Sequence, residues 1–352
     1  MRNGPWYATR EQVKSASDVR ETARLNRAID RNLAKHSREA EKILGYLHFY
    51  PVVATRYFDW PSPQMGDPWD LWLEDNPLSS ATAITSGGDA LTVGTDVFLE
   101  PASDPPYNRV RINSSSSAAW SSGASGYQRA IAITGTWGEN WTTGAGALAA
   151  AMTDTTSLVV DVTNSAEIGV GDLIEVGTER MVVANRQTTD TGVNSTGALA
   201  AEKTATALTV PDGTVFAVDE ILTIDSERMR IEDITGNTLR VTRAWDGTAL
   251  AAHNTNSDIY APRRLLVSER GFGGTTAATH LVGTAIYRWV PHASLNEWVL
   301  AETQNAVAQE NAAWARTIGA GESERQTFAR GLADLRRQVT MTLGRVARKA
   351  AI

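Results

Sequence analysis

The chain has 352 residues, of which 42% are hydrophobic and 21% charged, and a net charge of −7. This is ordinary globular composition, with length enough for two or three domains; it contains no cysteine, which excludes disulfides and thiolate metal sites and fits assembly in a reducing compartment. No apolar run approaches the length of a membrane span and the N-terminus lacks the apolar core of a secretory signal, so no membrane partner is expected.

The charge is unevenly placed. Residues 1–60 carry +4, residues 61–290 carry −13 and residues 291–352 carry +2. Such asymmetry predicts different neighbours for different parts. Thr9 and Gln12 form a capping-box pattern that opens a short helix. Leu25, Ile29, Leu33, His36, Ala40, Ile43, Leu44 and Leu47 then recur at helical spacing, which predicts a long amphipathic helix in need of an apolar partner. An aromatic extended segment follows and closes on Trp60-Pro61. Its cluster of Tyr57, Phe58, Trp60, Trp69 and Trp72 reads as core or subunit contact.

From about residue 81 to 290, short alternating runs such as Arg109-Val-Arg-Ile112 lie between Gly- and Asp-rich turns, which predicts an all-β region. Residues 114–126 (SSSSAAWSSGASG) read as a flexible surface loop. Two internal repeats stand out. Residues 170–181 match 218–229 at an offset of 48, and residues 243–253 match 270–280 at an offset of 27. A weaker third copy is expected at 197–202. Gly177-Thr178, Asp225-Ser226 and Gly236-Asn237 read as hairpin turns, and the whole as a small barrel or sandwich.

The last segment turns helical. Ser294 with Glu297 predicts the start of a helix running to about Ile318, marked by Trp298, Val299 and Trp314. Ser323 with Gln326 predicts another, with Phe328, Leu332, Leu335, Val339, Leu343 and Val346 on one stripe. Its polar face is basic, with Arg330, Arg336, Arg337, Arg345, Arg348 and Lys349. The fold expected from these patterns is α+β. Residues 1–60 and 291–352 form one α-helical bundle with Leu25, Ile29, Leu33, Ile43, Leu44, Tyr57, Trp60, Trp298 and Trp314 in its core or subunit contacts. Residues 61–290 form a β-rich insertion, with Val52–Tyr57 and 285–290 paired as its stalk.

The pattern YATRE…DVRETAR…IDR…REAE…FYP…TRYFDWP over residues 7–61 resembles the head-to-tail adaptor (connector) proteins of tailed bacteriophages. The resemblance implies a non-enzymatic virion protein assembled in the host cytoplasm. It would form a dodecameric ring between the portal protein and a downstream stopper or tail protein, with genomic DNA passing through unread. It also implies that the last helix, from Phe328 to Lys349, docks on the portal. Packing of the same stripe within the chain is the alternative reading.

Nothing in the motifs points to catalysis, a cofactor or a metal. The histidines His36, His48, His253, His280 and His292 lack metal-ligand spacing, and His253 and His280 read as one turn residue duplicated with its hairpin. Asp219-Glu220 and Glu232-Asp233 could serve as glycosidase carboxylates but read better as solvated surface. A carbohydrate-binding or capsid-decoration protein is the alternative function, and a polysaccharide-degrading tail enzyme the third.

Overall fold

The structure, a computed structural model, describes residues 4–16, 23–60, 68–73, 77–123, 126–311, 317–318, 325–326 and 329–343. Two helices, α1 (Arg10–Ala16) and α2 (Ala23–Leu44), precede a first β unit. That unit comprises β1 (Val52–Phe58), β2 (Asp70–Trp72), β3 (Leu78–Ser86), β4 (Asp89–Leu91), β5 (Val97–Glu100), β6 (Arg109–Ile112) and β7 (Ile131–Trp137). Its strands form two sheets, ordered β1-β7-β3-β4 and β2-β6-β5. They enclose one apolar cluster that includes Leu78, Ile84, Val110, Ile133 and Trp137. The serine-rich loop is anchored to this core rather than loose. Trp120 is buried, and its indole N–H donates to the Trp69 carbonyl at 3.1 Å.

Ten further strands follow: β8 (Thr142–Ala147), β9 (Val159–Asp161), β10 (Leu173–Val176), β11 (Glu179–Asn194), β12 (Ala207–Thr209), β13 (Ile221–Ile224), β14 (Glu227–Thr235), β15 (Thr238–Trp245), β16 (Asp258–Val267) and β17 (Ala285–Trp289). They make one continuous sheet that closes on itself twice. Barrel 1 runs β8-β17-β10-β11-β16-β9 and closes where Leu148 bridges Val162. Barrel 2 runs β11-β16-β13-β14-β15-β12 and closes where the Thr196 N–H donates to the Thr209 carbonyl. Strands β11 and β16 are long enough to serve both: the first half of β11 and the second half of the antiparallel β16 lie in barrel 1, and their other halves in barrel 2. The predicted turns at Gly177-Thr178, Asp225-Ser226 and Gly236-Asn237 join β10 to β11, β13 to β14 and β14 to β15.

Helix α3 (Ala293–Asn311), the short pair β18 (Thr317–Ile318) and β19 (Arg325–Gln326), and α4 (Ala329–Leu343) complete the chain. The cap of α3 is His292, not Ser294: its ring Nδ1 accepts from Ser294 N–H at 3.3 Å and its carbonyl from Leu295 and Asn296 N–H. The helix predicted to open at Ser323 begins only at Ala329, because Arg325–Gln326 pair as a strand with Thr317–Ile318.

The predicted fold class is overturned. Strand exceeds helix, 38% to 21%, and only four α-helices occur among the described residues. They form a layer that leans on barrel 1, not a self-contained bundle from which a β excursion hangs. Leu25, Ile29, Leu33, Leu44, Trp298, Val299, Leu335 and Val339 share one apolar cluster, but Tyr7, Phe49, Tyr50, Leu173, Phe272 and Trp289 belong to the same cluster. The helices thus bury their stripe partly on the β surface, as two-layer packing requires. The stalk is also absent. β1 pairs with β7 over seven residues, from Val52↔Trp137 to Phe58↔Ile131, while β17 pairs with β8 and β10.

Several residues expected in the helical core lie elsewhere. Ile43 is exposed because its neighbour Leu44 takes the inward position on the 3.6-residue repeat. Tyr57 is exposed under the Arg129 guanidinium, 5.0 Å from its ring centroid. Trp60 packs on Trp120 in the first β unit.

Candidate functional site

The two sequence repeats meet in space as two copies of one polar clamp. In barrel 2, Glu227 is fully buried and accepts five hydrogen bonds. Arg243 Nε and Nη2 donate at 2.8 Å each, the Ala244 and Ala251 N–H at 2.9 and 3.0 Å, and His253 Nε2 lies at 2.9 Å. In barrel 1, Glu179 accepts the same five. They come from Arg270 Nε and Nη2 at 2.7 and 2.8 Å, Gly271 and Ala278 N–H at 3.0 Å, and His280 Nε2 at 2.8 Å. The clamp pins the loop after each return strand to the hairpin that carries the glutamate. The third repeat copy is instead the clamp's floor: Leu199 bridges His253, and the Ala200 carbonyl accepts from Arg243 Nη1 at 2.9 Å. His253 has a second carboxylate, Asp225, at 2.8 Å, where barrel 1 has Gly177.

Other charged groups of the β region are also engaged within the fold. Glu220 in barrel 2 accepts from Arg263 Nε and Nη2 at 2.9 and 2.8 Å and from Ser165 N–H at 3.0 Å, which joins the two barrels. Asp219 pairs with Arg230, and Glu232 accepts from the Thr242 hydroxyl at 2.8 Å. Both acidic pairs considered as glycosidase carboxylates are therefore engaged within the fold. No group of three or more His, Asp or Glu side chains able to hold a metal occurs among the described residues.

A seam of charge joins α1 to barrel 1. Glu11 Oε2 accepts from Val170 N–H at 2.7 Å, and Arg186 lies 3.5 Å from its other oxygen. Beneath it, burial pushes Asp172 up to about 7, against the pull of Arg288 and the Gly169 N–H. Burial alone pushes Glu139 to about 7. The clamps shift the other way. Burial would raise Glu179 and Glu227, but the arginine, histidine and backbone donors outweigh it and hold both at about 2.

These shifts set a pH profile. The clamp glutamates stabilise the fold above their unfolded value of 4.5 and lose that contribution as pH falls towards 2. Asp172 and Glu139 favour the fold when protonated, a contribution lost as pH rises through 7. Together these groups should therefore favour the fold most at about pH 4. Asp172→Asn should flatten the fall between about pH 4 and 7 in urea titrations, and an unchanged slope would refute the assignment.

The predicted docking helix is largely used within the chain. Val339 is fully buried, and Leu335 and Leu343 pack on the helical cluster; Leu332 is half-buried. Arg336 Nη2 donates to Glu302 at 2.5 Å and lies over the Trp298 ring. Arg337 is exposed, and Arg330 falls in the first turn of α4. Trp314, Phe328, Arg345, Val346, Arg348 and Lys349 lie outside the described residues.

Two features escaped the sequence reading. One is the pairing of each repeated glutamate with its arginine and histidine; the offsets in the repeats carried that signal, because Glu179 and Glu227 lie in one repeat and the Arg–His pairs in the other. The second is a cleft of about 720 Å³ between the barrels, lined by Asp161, Thr163, Asn164, Thr189, Asp190 and Arg264 among others. No helix of the described residues is long and apolar enough to cross a membrane. Searches for relatives find no matching family model, no matching curated protein and no matching solved structure.

Proposed function

We propose that the chain is a structural virion protein, a head-to-tail adaptor that assembles as a dodecameric ring between a portal protein and the next neck or tail component. The observation that carries the reading is the use made of residues 7–61. Tyr7 is buried among Ser37, Glu41 and Phe49, Arg10 holds Asp30, and Arg38 donates to the Pro5 carbonyl. Among the described residues of the adaptor-like pattern, Tyr7, Arg10, Asp30 and Phe49 thus tie the helices to each other and to the β body. The buried carboxylates of the clamps likewise brace the fold. Rigidity of this kind suits a component that transmits contact between neighbours. The portal contact in this reading falls on the outward side of α4, at Arg337 and the exposed Met341. DNA passes through the ring without sequence-specific contacts.

The test is electron microscopy of the purified chain with the portal protein of the same phage. A ring seated on the portal is expected, and Arg337→Glu with Met341→Asp should weaken it at least about tenfold. Absence of any complex at micromolar concentrations would sink the reading. The polar inter-barrel cleft favours a second reading, glycan binding by a decoration protein, since threonine, asparagine and carboxylate groups suit hydroxyl-rich ligands. Saturable binding on a glycan array, abolished by Asn164→Ala, would favour it.

A further inference from the structure

The two barrels repeat one backbone, so each position in one has a counterpart in the other. Their equivalent hydrogen bonds confirm the alignment. Gly171 N–H donates to the Val183 carbonyl and Asp219 N–H to that of Ile231; Arg180 N–H donates to Thr275 and Arg228 N–H to Thr248. The comparison isolates one difference. In barrel 1, one face is covered by the helical layer: Val170 is fully buried beneath α1, and Leu173, Val182, Phe272 and Trp289 belong to the helical cluster. The counterparts in barrel 2 are Val218, Ile221, Arg230, Trp245 and Pro262. Val218 is 46% exposed, and the other four are half-buried. Among the described residues, none of barrel 2 joins the clusters of the helical layer or the first β unit.

The turns differ in the same sense. Gly171, Gly177 and Gly273 have φ of 101°, 62° and 65°; their counterparts Asp219, Asp225 and Asp246 keep the left-handed backbone, at 70°, 53° and 54°. At two of these in barrel 1 closeness adds to φ in favouring glycine. A Cβ at Gly171 would overlap the Trp6 ring, and one at Gly273 would lie 3.2 Å from the Pro51 carbonyl oxygen. Barrel 2 carries aspartates at these positions, of which Asp219 and Asp246 hold Arg230 and Arg228.

We infer that this face of barrel 2 is an interaction surface, and that its occupant is the outward side of α2 in a second copy of the chain. The inward side of the layer already covers barrel 1. The outward side of α2 presents Arg27, Arg31, Lys35 and Lys42, all exposed, and ends on the exposed Ile43. Arg31 and Lys35 also hold Glu310 and Glu39. Residues 23–44 carry a net +3 and residues 195–257 a net −4, so the segments that bear the two surfaces are opposite in charge. One surface meets a different one on the next copy, which is the arrangement that closes rings or extends chains. The inference rests on the proposed function only in taking the chain to assemble with itself.

The experiment is sedimentation velocity of the full chain across a concentration series, with Val218→Asp and the double variant Arg27→Glu, Lys35→Glu. All these side chains are at least partly exposed, so circular dichroism should be unchanged while self-association weakens at least about tenfold. Because the chain has no cysteine, a Val218→Cys copy mixed with an Ile43→Cys copy should crosslink in trans. Assembly that ignores both sets of substitutions, with no crosslink, overturns the inference and leaves the assembly reading standing. A wild-type chain that stays monomeric at its highest soluble concentration overturns the inference and the self-assembly part of the function, while portal binding is judged separately.

Discussion

Glu227→Ala is expected to melt barrel 2 and leave barrel 1 standing. The substitution removes all five acceptor contacts of the clamp and leaves the Arg243 guanidinium, whose side chain is only 1% exposed, with backbone carbonyls as acceptors and no counter-charge in the clamp. Breaking a buried pair by removing one partner costs about 3–5 kcal/mol, because the remaining charge stays buried without compensation. That is a large share of the roughly 5–15 kcal/mol that holds a typical domain. The barrel-2 core, from Leu199 to Ala261, contains no residue of the barrel-1 core, so the loss should stay local. Hydrogen exchange should rise across residues 195–257 and remain slow across 142–183. The same change at Glu179 should reach further. Its clamp holds Gly271, next to Phe272 of the helical cluster, and barrel 1 anchors both strands through which barrel 2 is threaded. A loss below about 1 kcal/mol for Glu227→Ala, or uniform exchange across both barrels, would show that the clamp does not govern barrel 2.

Excision of barrel 2 is expected to leave a folded protein. Asn194 and Asp258 are register partners on adjacent antiparallel strands, so a two-residue turn can replace residues 195–257. None of the deleted residues contributes to the clusters of the helical layer, barrel 1 or the first β unit. Arg263 loses Glu220, the Val215 carbonyl and the Phe216 ring together, and with barrel 2 gone it faces water instead of a buried void. The shortened chain should keep its near-ultraviolet circular dichroism and slow exchange in α2 and α3, yet fail to self-associate. A molten or insoluble product would mean that barrel 2 is required for barrel 1 to close.

The excision follows from how the two repeat offsets fit together. Read along the chain, 48 and 27 look like two separate duplications. In three dimensions they are the two arms of one: a second barrel inserted between β11 and β16 of the first, so that its leading half trails by one offset and its closing half leads by the other. The hairpin turns were legible because Gly-Thr, Asp-Ser and Gly-Asn encode their own backbone conformation. The amphipathic stripe of α2 was legible for the same local reason, with Leu25, Ile29, Leu33 and Leu44 at helical spacing.

What those patterns could not convey is the identity of the surface each face meets. Periodicity fixes which side of an element is buried; it carries no information about the partner, since apolar attraction is non-directional. Thus the helical stripes implied a bundle, where Trp289 and Phe272 of a barrel share the burial. Val52–Tyr57 implied a strand, and only tertiary structure set it against Ile131–Trp137. The clamp depends on the same limit. Glu179 and His280 lie 101 residues apart, and no local rule joins them until the barrel closes. The sequence by itself determined the hairpin turns, the stripe of α2, the β character of the middle of the chain and the fact of duplication, because turn chemistry, periodicity and repetition are all read along the chain. The tertiary structure decided the nesting, the clamps and the uncovered face of barrel 2, because those arise from contacts between segments that are distant along the chain.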